Sequence, residues 1–213
     1  MLGKLIVIEG VDASGKHTQA KILAQRLKKA GKGVELVVFP SYNTPFGKLV
    51  KKYLHGAFGD KDALPPEIPA MLYAADRLQH KEKLERWLKQ GKWVVADRYV
   101  YSNAYQAAKI NGGKERVRFL EWLEKLEEGM PQADAVVFLD LPPELSVKLM
   151  RKRGRKQDIH EKDKAYLKRV HTLYVKEAKR RNWITVDCSN MGGIRGKTEI
   201  ANELYEKIRR RLS

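Results

Sequence analysis

Cysteine and long hydrophobic runs are scarce in this sequence of 213 residues. The single cysteine, Cys188, excludes an internal disulfide framework and a metal site built from several cysteines. No apolar run approaches the ~20 residues that a membrane-spanning helix needs. Residues 1–4 lead straight into a strand-like segment without a signal-peptide pattern. We therefore expect a cytoplasmic protein that does not enter a membrane.

Acidic residues are also in short supply relative to basic ones. The sequence has 43 lysines and arginines against 26 aspartates and glutamates, a formal net charge of +17. Such an excess favours a polyanionic partner, either nucleic acid or the phosphates of nucleotides. A solvated basic surface, as heat-adapted proteins often carry, is the simpler explanation for most of these positions. Charge alone therefore selects no function.

Short apolar segments alternate with helical patterns along the chain. The apolar segments are rich in β-branched residues and nearly uninterrupted, which predicts buried strands at 5–9, 34–39, 93–97, 135–141 and 183–187. Apolar residues at helical spacing predict helices at 16–30, 66–90, 115–128, 143–153, 160–181 and 197–212. The alternation predicts an α/β fold, a doubly wound five-stranded parallel sheet with helices on both faces. We expect residues 1–213 to form one such domain, with ligands beyond the C-terminal ends of its strands.

A glycine-rich segment joins the first predicted strand to the first predicted helix. It reads Gly10-Val11-Asp12-Ala13-Ser14-Gly15-Lys16-His17-Thr18, the G-x-x-x-x-G-K spacing of a Walker A loop. The glycines permit a turn with inward-pointing N–H groups, and the helix dipole adds positive potential. Lys16 supplies a mobile charge for the outer phosphates, which a turn kept only for packing would not need. We therefore expect ATP to bind at residues 10–18.

One position in this loop departs from the motif and bears on metal binding. His17 stands where a serine or threonine usually ligates Mg²⁺, and Thr18 faces a different direction on the helix. Asp97, at the end of the third predicted strand, can hold Mg²⁺ or its waters and can also act as a helix N-cap. The pattern predicts Mg²⁺ as the cofactor and Asp97 as its protein contact.

The order and spacing of these features resemble the thymidylate kinase family of P-loop nucleoside monophosphate kinases, over nearly the whole chain. Its landmarks here are Glu9-Gly10-Val11-Asp12, Phe39-Pro40, Tyr73-Ala74-Ala75-Asp76-Arg77, and Asp97-Arg98-Tyr99 followed by Ser102 and Tyr105-Gln106. The arginine-rich stretch 151–161 resembles the family's lid, which we expect at about 151–163. The resemblance implies a homodimeric enzyme that transfers a phosphoryl group from ATP to thymidine monophosphate (dTMP).

Two other functions remain open at this point. One is a related kinase for another nucleotide or for a deoxynucleoside. The other is a nucleotide-regulated protein that binds nucleic acid through its positive charge, although no nucleic-acid-binding module is recognisable in the sequence.

The resemblance assigns acceptor contacts to particular positions. It implies that Asp12 accepts a hydrogen bond from the 3′-hydroxyl of the acceptor, and that Phe39 and Tyr73 flank or stack on the pyrimidine. Arg77 would donate to the carbonyl edge of the base. From periodicity alone, Tyr73 is ordinary helix-face packing and Arg77 is a solvated helix charge.

Two further residues complete the implied acceptor site. Arg98 would hold the acceptor phosphate as a planar fork. Tyr105 would fill the space beneath the 2′ carbon, so that a ribose hydroxyl clashes. Periodicity alone gives Tyr105 only a packing role.

The resemblance implies that Lys16, Asp97, Arg98 and a lid arginine form the catalytic group. Some family members carry an arginine in the P-loop at the position of Ala13 in this sequence. The lid must then supply it, from either Arg153 or Arg155. Positive groups are needed there because the oxygens of a transferring phosphoryl group carry negative charge.

The sequence departs from the family pattern at two other places. Ser41-Tyr42 replaces an acidic residue and an arginine that touches the acceptor phosphate, which leaves Lys48 as a substitute. The lid sequence Asp158-Ile159-His160-Glu161 also lacks the family's arginine. The resemblance places the adenine-binding loop around residues 187–190, where Cys188 is more typical of a packing residue than of a reactive thiol.

Overall fold

A parallel five-stranded sheet forms the centre of the computed structural model, which describes residues 2–152, 158–191 and 193–212. Its strands lie in the order β2-β3-β1-β4-β5 and are β1 (Leu5–Gly10), β2 (Val34–Val38), β3 (Trp93–Asp97), β4 (Ala135–Asp140) and β5 (Ile184–Asp187). A short antiparallel pair follows, β6 (Ser189–Asn190) and β7 (Gly193–Ile194). The predicted sheet and its five strands are confirmed.

Helices connect the strands and cover both faces of the sheet. They are α1 (Lys16–Lys29), α2 (Pro45–Leu54), α3 (Glu67–Leu78), α4 (Lys81–Lys89), α5 (Ala104–Ala107), α6 (Gly113–Leu126), α7 (Pro143–Lys152), α8 (Lys164–Arg180) and α9 (Lys197–Leu212), with a 3₁₀ turn at Val100–Asn103. Within the described residues, no helix combines the length and the apolar character needed to cross a membrane.

The central strand shows why the sheet needs helices on both sides. Ile6 and Ile8 of β1 belong to a buried cluster that includes side chains of α1 and α9. Leu5 and Val7, which point to the opposite face, pack in a second cluster with Leu84 of α4. Because both faces of β1 are buried, its sequence is continuously apolar rather than alternating.

The order of the strands brings the glycine-rich loop and Asp97 together. β1 pairs with β3 on one side, where Ile8 lies opposite Asp97, and with β4 on the other. The loop that leaves β1 and the carboxylate that ends β3 therefore meet at one edge of the sheet. This edge is the C-terminal one, where ligands bind in open α/β sheets.

The prediction of one continuous helix over 66–90 is wrong. The structure has α3 and α4 with a break at Gln79 and His80. The side-chain amide of Gln79 donates to the carbonyl oxygen of Asp76 at 3.1 Å, the oxygen that the backbone amide of His80 would use in a continuous α-helix. The His80 amide donates to the carbonyl oxygen of Arg77 instead, at 2.9 Å. The His80 ring then packs edge-on against Phe39, with 5.4 Å between ring centroids.

Two further helix boundaries differ from the sequence prediction. The helix predicted from residue 160 begins at Lys164, because Asp163 caps it by accepting from the Tyr166 amide at 2.9 Å. α2 was not predicted, although Thr44 and Pro45 form a typical helix start, in which the Thr44 hydroxyl accepts from the Gly47 amide at 3.2 Å.

Candidate active site

The glycine-rich loop adopts the strand–loop–helix geometry that the motif predicts. It leaves β1 at Gly10 and enters α1 at Lys16, with positive φ angles of 149° at Gly10, 61° at Ala13 and 90° at Gly15. A Cβ at Gly10 would lie 2.8 Å from the carbonyl oxygen of Leu139, so only glycine fits there. The hydroxyl of Ser14 is buried and has no hydrogen-bond partner within the described residues. A bound ligand could therefore pair with the Ser14 hydroxyl.

Lys16 is buried at the start of α1 and bends back over the loop. Its ammonium donates to the carbonyl oxygen of Val11 at 2.7 Å. Burial and the neighbouring charge of Arg98 lower the pKa of Lys16 to about 8. An incoming polyphosphate would replace the Val11 carbonyl with charged oxygens and favour the ammonium form.

Asp97 lies beside the loop and contacts the residue that breaks the motif. The Nδ1 atom of His17 is 3.2 Å from the Asp97 carboxylate. Asp97 is buried, whereas the His17 side chain is 54% exposed. Thr18 is exposed on the next position of α1. His17 therefore contacts the predicted metal residue, which the sequence did not indicate.

The Asp97 site fits Mg²⁺ held mainly by a nucleotide. Within the described residues, no group of three or more His, Cys, Asp and Glu side chains forms a cation cage. A single carboxylate next to a phosphate-binding loop suits a cation that keeps its waters and arrives with phosphate oxygens. The imidazole of His17 is a softer ligand than Mg²⁺ prefers.

Arg98 connects the glycine-rich loop to a neighbouring cleft. It has φ 68°, and its guanidinium donates to the Asp12 carboxylate at 2.5 Å and to the Gly10 carbonyl at 3.3 Å. Tyr105 donates its hydroxyl to the other oxygen of Asp12 at 2.8 Å, and its ring lies 4.8 Å from the Arg98 guanidinium carbon. Burial acts to raise the pKa of Asp12, but the charges of Arg98 and Lys16 hold it below its ordinary value. Asp12 is therefore a carboxylate, and each of its oxygens can accept a further hydrogen bond.

A buried glutamate supports the backbone that carries Arg98. Glu9 accepts from the Tyr99 amide at 2.9 Å, the Ser102 hydroxyl at 2.8 Å and the Tyr174 hydroxyl at 2.8 Å. Burial raises the pKa of Glu9, against the lowering effect of Arg98. The sequence showed Glu9 only as a family landmark, because its partners lie far away in the chain.

The cleft beside Arg98 has a volume of about 110 Å³ and is lined by all six predicted acceptor residues. These are Asp12, Phe39, Tyr73, Arg77, Arg98 and Tyr105. Tyr42 also lines the cleft, while Lys48 is exposed and not among the described lining residues. The structure thus gives Lys48 no place at this site.

Arg77 is held firmly at one end of this cleft. It is only 2% exposed, which rules out a solvated helix charge. Its Nε atom pairs with the Glu127 carboxylate, and its Nη2 atom donates to the Asn103 side chain at 3.1 Å. Sequence reasoning missed both partners, since neither stands within a recognisable motif.

The described part of the predicted lid contributes to the same cleft. Asp158 and His160 line it, while Arg153 and Arg155, the predicted lid arginines, lie outside the described residues. Burial and the nearby Asp12 charge raise the pKa of Asp158 to about 6. Burial and the charge of Lys109 lower the pKa of His160 to about 3, so its imidazole is neutral.

Cys188 lies in the segment expected to contact adenine. Its thiol is buried, and burial raises its pKa to about 12. Its backbone amide donates to the carbonyl oxygen of Asp140 at 2.8 Å, and its carbonyl oxygen accepts from the backbone amide of Arg195 at 3.0 Å. These bonds anchor the turn between β5 and β6. A packing role, as the sequence suggested, agrees with this burial.

A phosphate-binding loop, a second cleft for an acceptor and an arginine between them define a P-loop nucleoside monophosphate kinase. A family model described as thymidylate kinase matches residues 8–194. The chain belongs to the thymidylate kinase family. The predicted family, fold class and enzyme class, an ATP-dependent nucleoside monophosphate kinase, are confirmed.

Individual relatives agree with the family match. A probable thymidylate kinase of Thermococcus onnurineus is 41% identical over 181 residues, which cover 82% of this chain and 84% of that protein. The thymidylate kinase of Plasmodium falciparum is 30% identical over 207 residues, covering 97% and 90%. The solved structure of the Candida albicans thymidylate kinase has a TM-score of 0.81 at 28% identity, covering 98% of this chain and 92% of that one. These matches lend no support to the alternatives of another kinase or a nucleic-acid-binding protein.

Proposed function

We propose that the protein transfers the terminal phosphoryl group of ATP to dTMP, giving thymidine diphosphate and ADP in the synthesis of dTTP. Membership of the thymidylate kinase family supports this reaction. The observation that carries it is the position of Arg98. Its guanidinium bonds to Gly10 and Asp12 of the phosphate-binding loop and also lines the acceptor cleft. The donor and acceptor phosphates would therefore meet at one charged group.

The transfer is direct and in line, with no covalent intermediate on the protein. Lys16 leaves the Val11 carbonyl and binds the outer phosphates of ATP, while Arg98 binds the acceptor phosphate. A lid arginine, Arg153 or Arg155, adds the remaining positive charge and closes the site against water. No general base is needed, because the attacking phosphate oxygen of dTMP is already anionic.

Asp97 would hold Mg²⁺ through its waters, with the other ligands coming from the phosphates. When bound, the cation neutralises charge on the phosphate oxygens. Asp97 would keep the cation near Lys16 and the glycine-rich loop.

The acceptor lies along the cleft with its base toward Arg77 and its phosphate toward Arg98. Phe39 and Tyr73 contribute flat apolar surface for the pyrimidine. Asp12 accepts from the 3′-hydroxyl, and Tyr105 occupies the space that a 2′-hydroxyl would need.

A homodimer and a cytoplasmic location complete the proposal. The dimer is supported by exposed apolar side chains on the neighbouring helices α2 and α3, such as Phe46, Ile68 and Met71. The cytoplasmic location and the single-domain organisation stay predictions.

The test is a panel of nucleoside monophosphates with ATP and Mg²⁺, scored by release of ADP. We expect dTMP to give the highest kcat/KM, with ribonucleotides and deoxynucleosides much poorer. A higher kcat/KM for a purine monophosphate, or for thymidine itself, would contradict the proposal. Omitting the acceptor gives the background rate of ATP hydrolysis.

A further inference from the structure

Glu127, which is not one of the family landmarks, contacts two residues that line the acceptor cleft. It directly follows α6, and its side chain is buried. One carboxylate oxygen pairs with Nε of Arg77, and the other accepts from the Asn103 amide at 2.5 Å. Arg77 in turn donates to the Asn103 carbonyl oxygen at 3.1 Å. The three side chains form a closed ring of hydrogen bonds.

This ring fixes the direction of every polar group in it. Arg77 has only donors, so the Asn103 atom that faces it must be the carbonyl oxygen. The Glu127 carboxylate has only acceptors, so the Asn103 atom that faces it must be the amide nitrogen. The amide of Asn103 therefore cannot flip, and the guanidinium plane of Arg77 cannot turn, without breaking hydrogen bonds of the ring.

Arg77 and Asn103 line the cleft, whereas Glu127 lies behind them. Two of the five N–H groups of Arg77 are used in the ring, and its others have no acceptor among the described residues. A base that meets these groups must present an acceptor. Thymine does so with its 4-carbonyl, whereas cytosine presents an amino group at the same position.

On the basis of the proposed function, we propose that Glu127 is a positioning residue that makes the cleft select a base with a 4-carbonyl group. It does not touch the acceptor. It acts by holding Arg77 and Asn103 in one arrangement, with the donors of Arg77 directed to the base edge.

Glutamine is the informative substitution, because it keeps the size of Glu127 and removes one acceptor. Its carbonyl oxygen can accept from Arg77 or from Asn103, but its NH₂ group then faces the donor of the other residue. Either Arg77 or Asn103 must then turn away from residue 127, and the guanidinium of Arg77 loses its buried carboxylate partner.

The neighbouring residue provides a matched control. Glu128 has the same chemistry and the next position in the chain, but its side chain is exposed. Glu128→Gln should leave all kinetic constants unchanged.

The experiment compares dTMP with 5-methyl-deoxycytidine monophosphate, which keeps the methyl group and changes the 4-position. We expect the wild type to prefer dTMP strongly. In Glu127→Gln, kcat/KM for dTMP should fall about 10- to 100-fold, mainly through a higher KM. The ratio of kcat/KM for dTMP over that for 5-methyl-deoxycytidine monophosphate should fall by a similar factor. The KM for ATP should not change.

The outcomes separate this inference from the proposed function. A wild type that does not phosphorylate dTMP overturns both. An active wild type with a folded Glu127→Gln variant that keeps its KM and its preference overturns the inference alone. An equal loss of kcat on both acceptors, with the preference intact, also overturns it, because it shows a general structural role.

A second variant covers the case in which Glu127→Gln does not fold. Asn103→Leu leaves the Arg77–Glu127 ion pair in place and removes the other two hydrogen bonds of the ring. We expect this variant to have a higher KM for dTMP and a smaller ratio of kcat/KM for dTMP over that for 5-methyl-deoxycytidine monophosphate. An unchanged preference would overturn it.

Discussion

Lys16 is the residue on which the proposed donor site depends most. It is buried, and its ammonium donates to the Val11 carbonyl oxygen, a partner that the proposed phosphate contact would replace. We expect Lys16→Ala to fold normally and to lose about 100- to 1,000-fold in kcat, the usual effect of removing one transition-state charge contact. Circular dichroism provides the control for folding. Near-normal turnover in a folded variant would contradict the assignment of the phosphate-binding loop.

The lowered pKa of Lys16 predicts how ATP binding depends on pH. Its pKa is about 8. In the proposed mechanism, ATP binds the protonated amine. Below pH 8 the amine is already charged, whereas above pH 8 binding must also take up a proton. The KM for ATP should therefore rise as the pH rises through 8, by up to about tenfold per pH unit. A KM that stays flat to pH 9.5 would show that Lys16 does not control ATP affinity.

Tyr105 makes two kinds of contact that can be tested separately. Its hydroxyl bonds to Asp12, and its buried ring lies edge-on to Tyr166 and Tyr174. Tyr105→Ala should narrow the ratio of kcat/KM for dTMP over the ribose monophosphate, because the space for a 2′-hydroxyl opens. Tyr105→Phe keeps the ring and should keep the ratio. Equal ratios in wild type and Tyr105→Ala would assign Tyr105 to core packing alone.

The contact between His17 and Asp97 gives a prediction for the metal. His17→Ser removes an imidazole from the carboxylate and restores the hydroxyl that Mg²⁺ prefers. We expect this variant to stay active and to need less free Mg²⁺ for half-maximal rate. Asp97→Asn should need a higher concentration of free Mg²⁺ than the wild type for half-maximal rate. Initial rates against free Mg²⁺ measure both, and a severe loss of activity in folded His17→Ser would show that the histidine has a positive role.

At the scale of elements, we expect the predicted lid to supply the last positive charge of the active site. Ala13 leaves the phosphate-binding loop without an arginine, so one of the two lid arginines should carry the catalytic charge. Of Arg153→Ala and Arg155→Ala, we expect one to lose kcat heavily and the other little, with KM for dTMP nearly constant in both. Arg151→Ala, on the exposed end of α7, is the matched control. Full kcat in both variants would show that neither Arg153 nor Arg155 supplies the catalytic positive charge.

The break between α3 and α4 shows how an element depends on its neighbours. Periodicity continues across residues 79 and 80, so the sequence gives no signal for an end. The Gln79 side chain also reaches Thr44 at 2.8 Å, just before α2, and His80 packs against Phe39 after β2. These contacts exist only when the segments are already packed, and they place Phe39 and Arg77 on the same cleft.

At the scale of the whole molecule, the proposed homodimer can be tested by surface substitution. Met71 is 41% exposed on α3, and Val175 is equally exposed on α8. Met71→Glu should shift the mass measured by light scattering toward that of a monomer, because a buried charge opposes association. Val175→Glu should leave the mass unchanged. A wild type that is monomeric at all concentrations would contradict the proposal.

The sequence by itself determined the sheet and the glycine-rich loop, and it predicted six acceptor residues that the structure brings together in one cleft. Strands, helices and the Walker A loop follow from local spacing of apolar residues and glycines, and the acceptor residues follow from resemblance. Local signals are legible because backbone conformation and burial repeat every two or 3.6 residues.

Only the tertiary structure decided which partners orient those residues. Glu127 lies 50 positions from Arg77, and Tyr174 lies 165 positions from Glu9. In the sequence, Glu127 is one of many glutamates near the end of a charged helix. It gains a role because folding buries it beside a guanidinium, where an unpaired charge is too costly to persist. Such pairings depend on which surfaces meet in three dimensions, and no spacing along the chain records that.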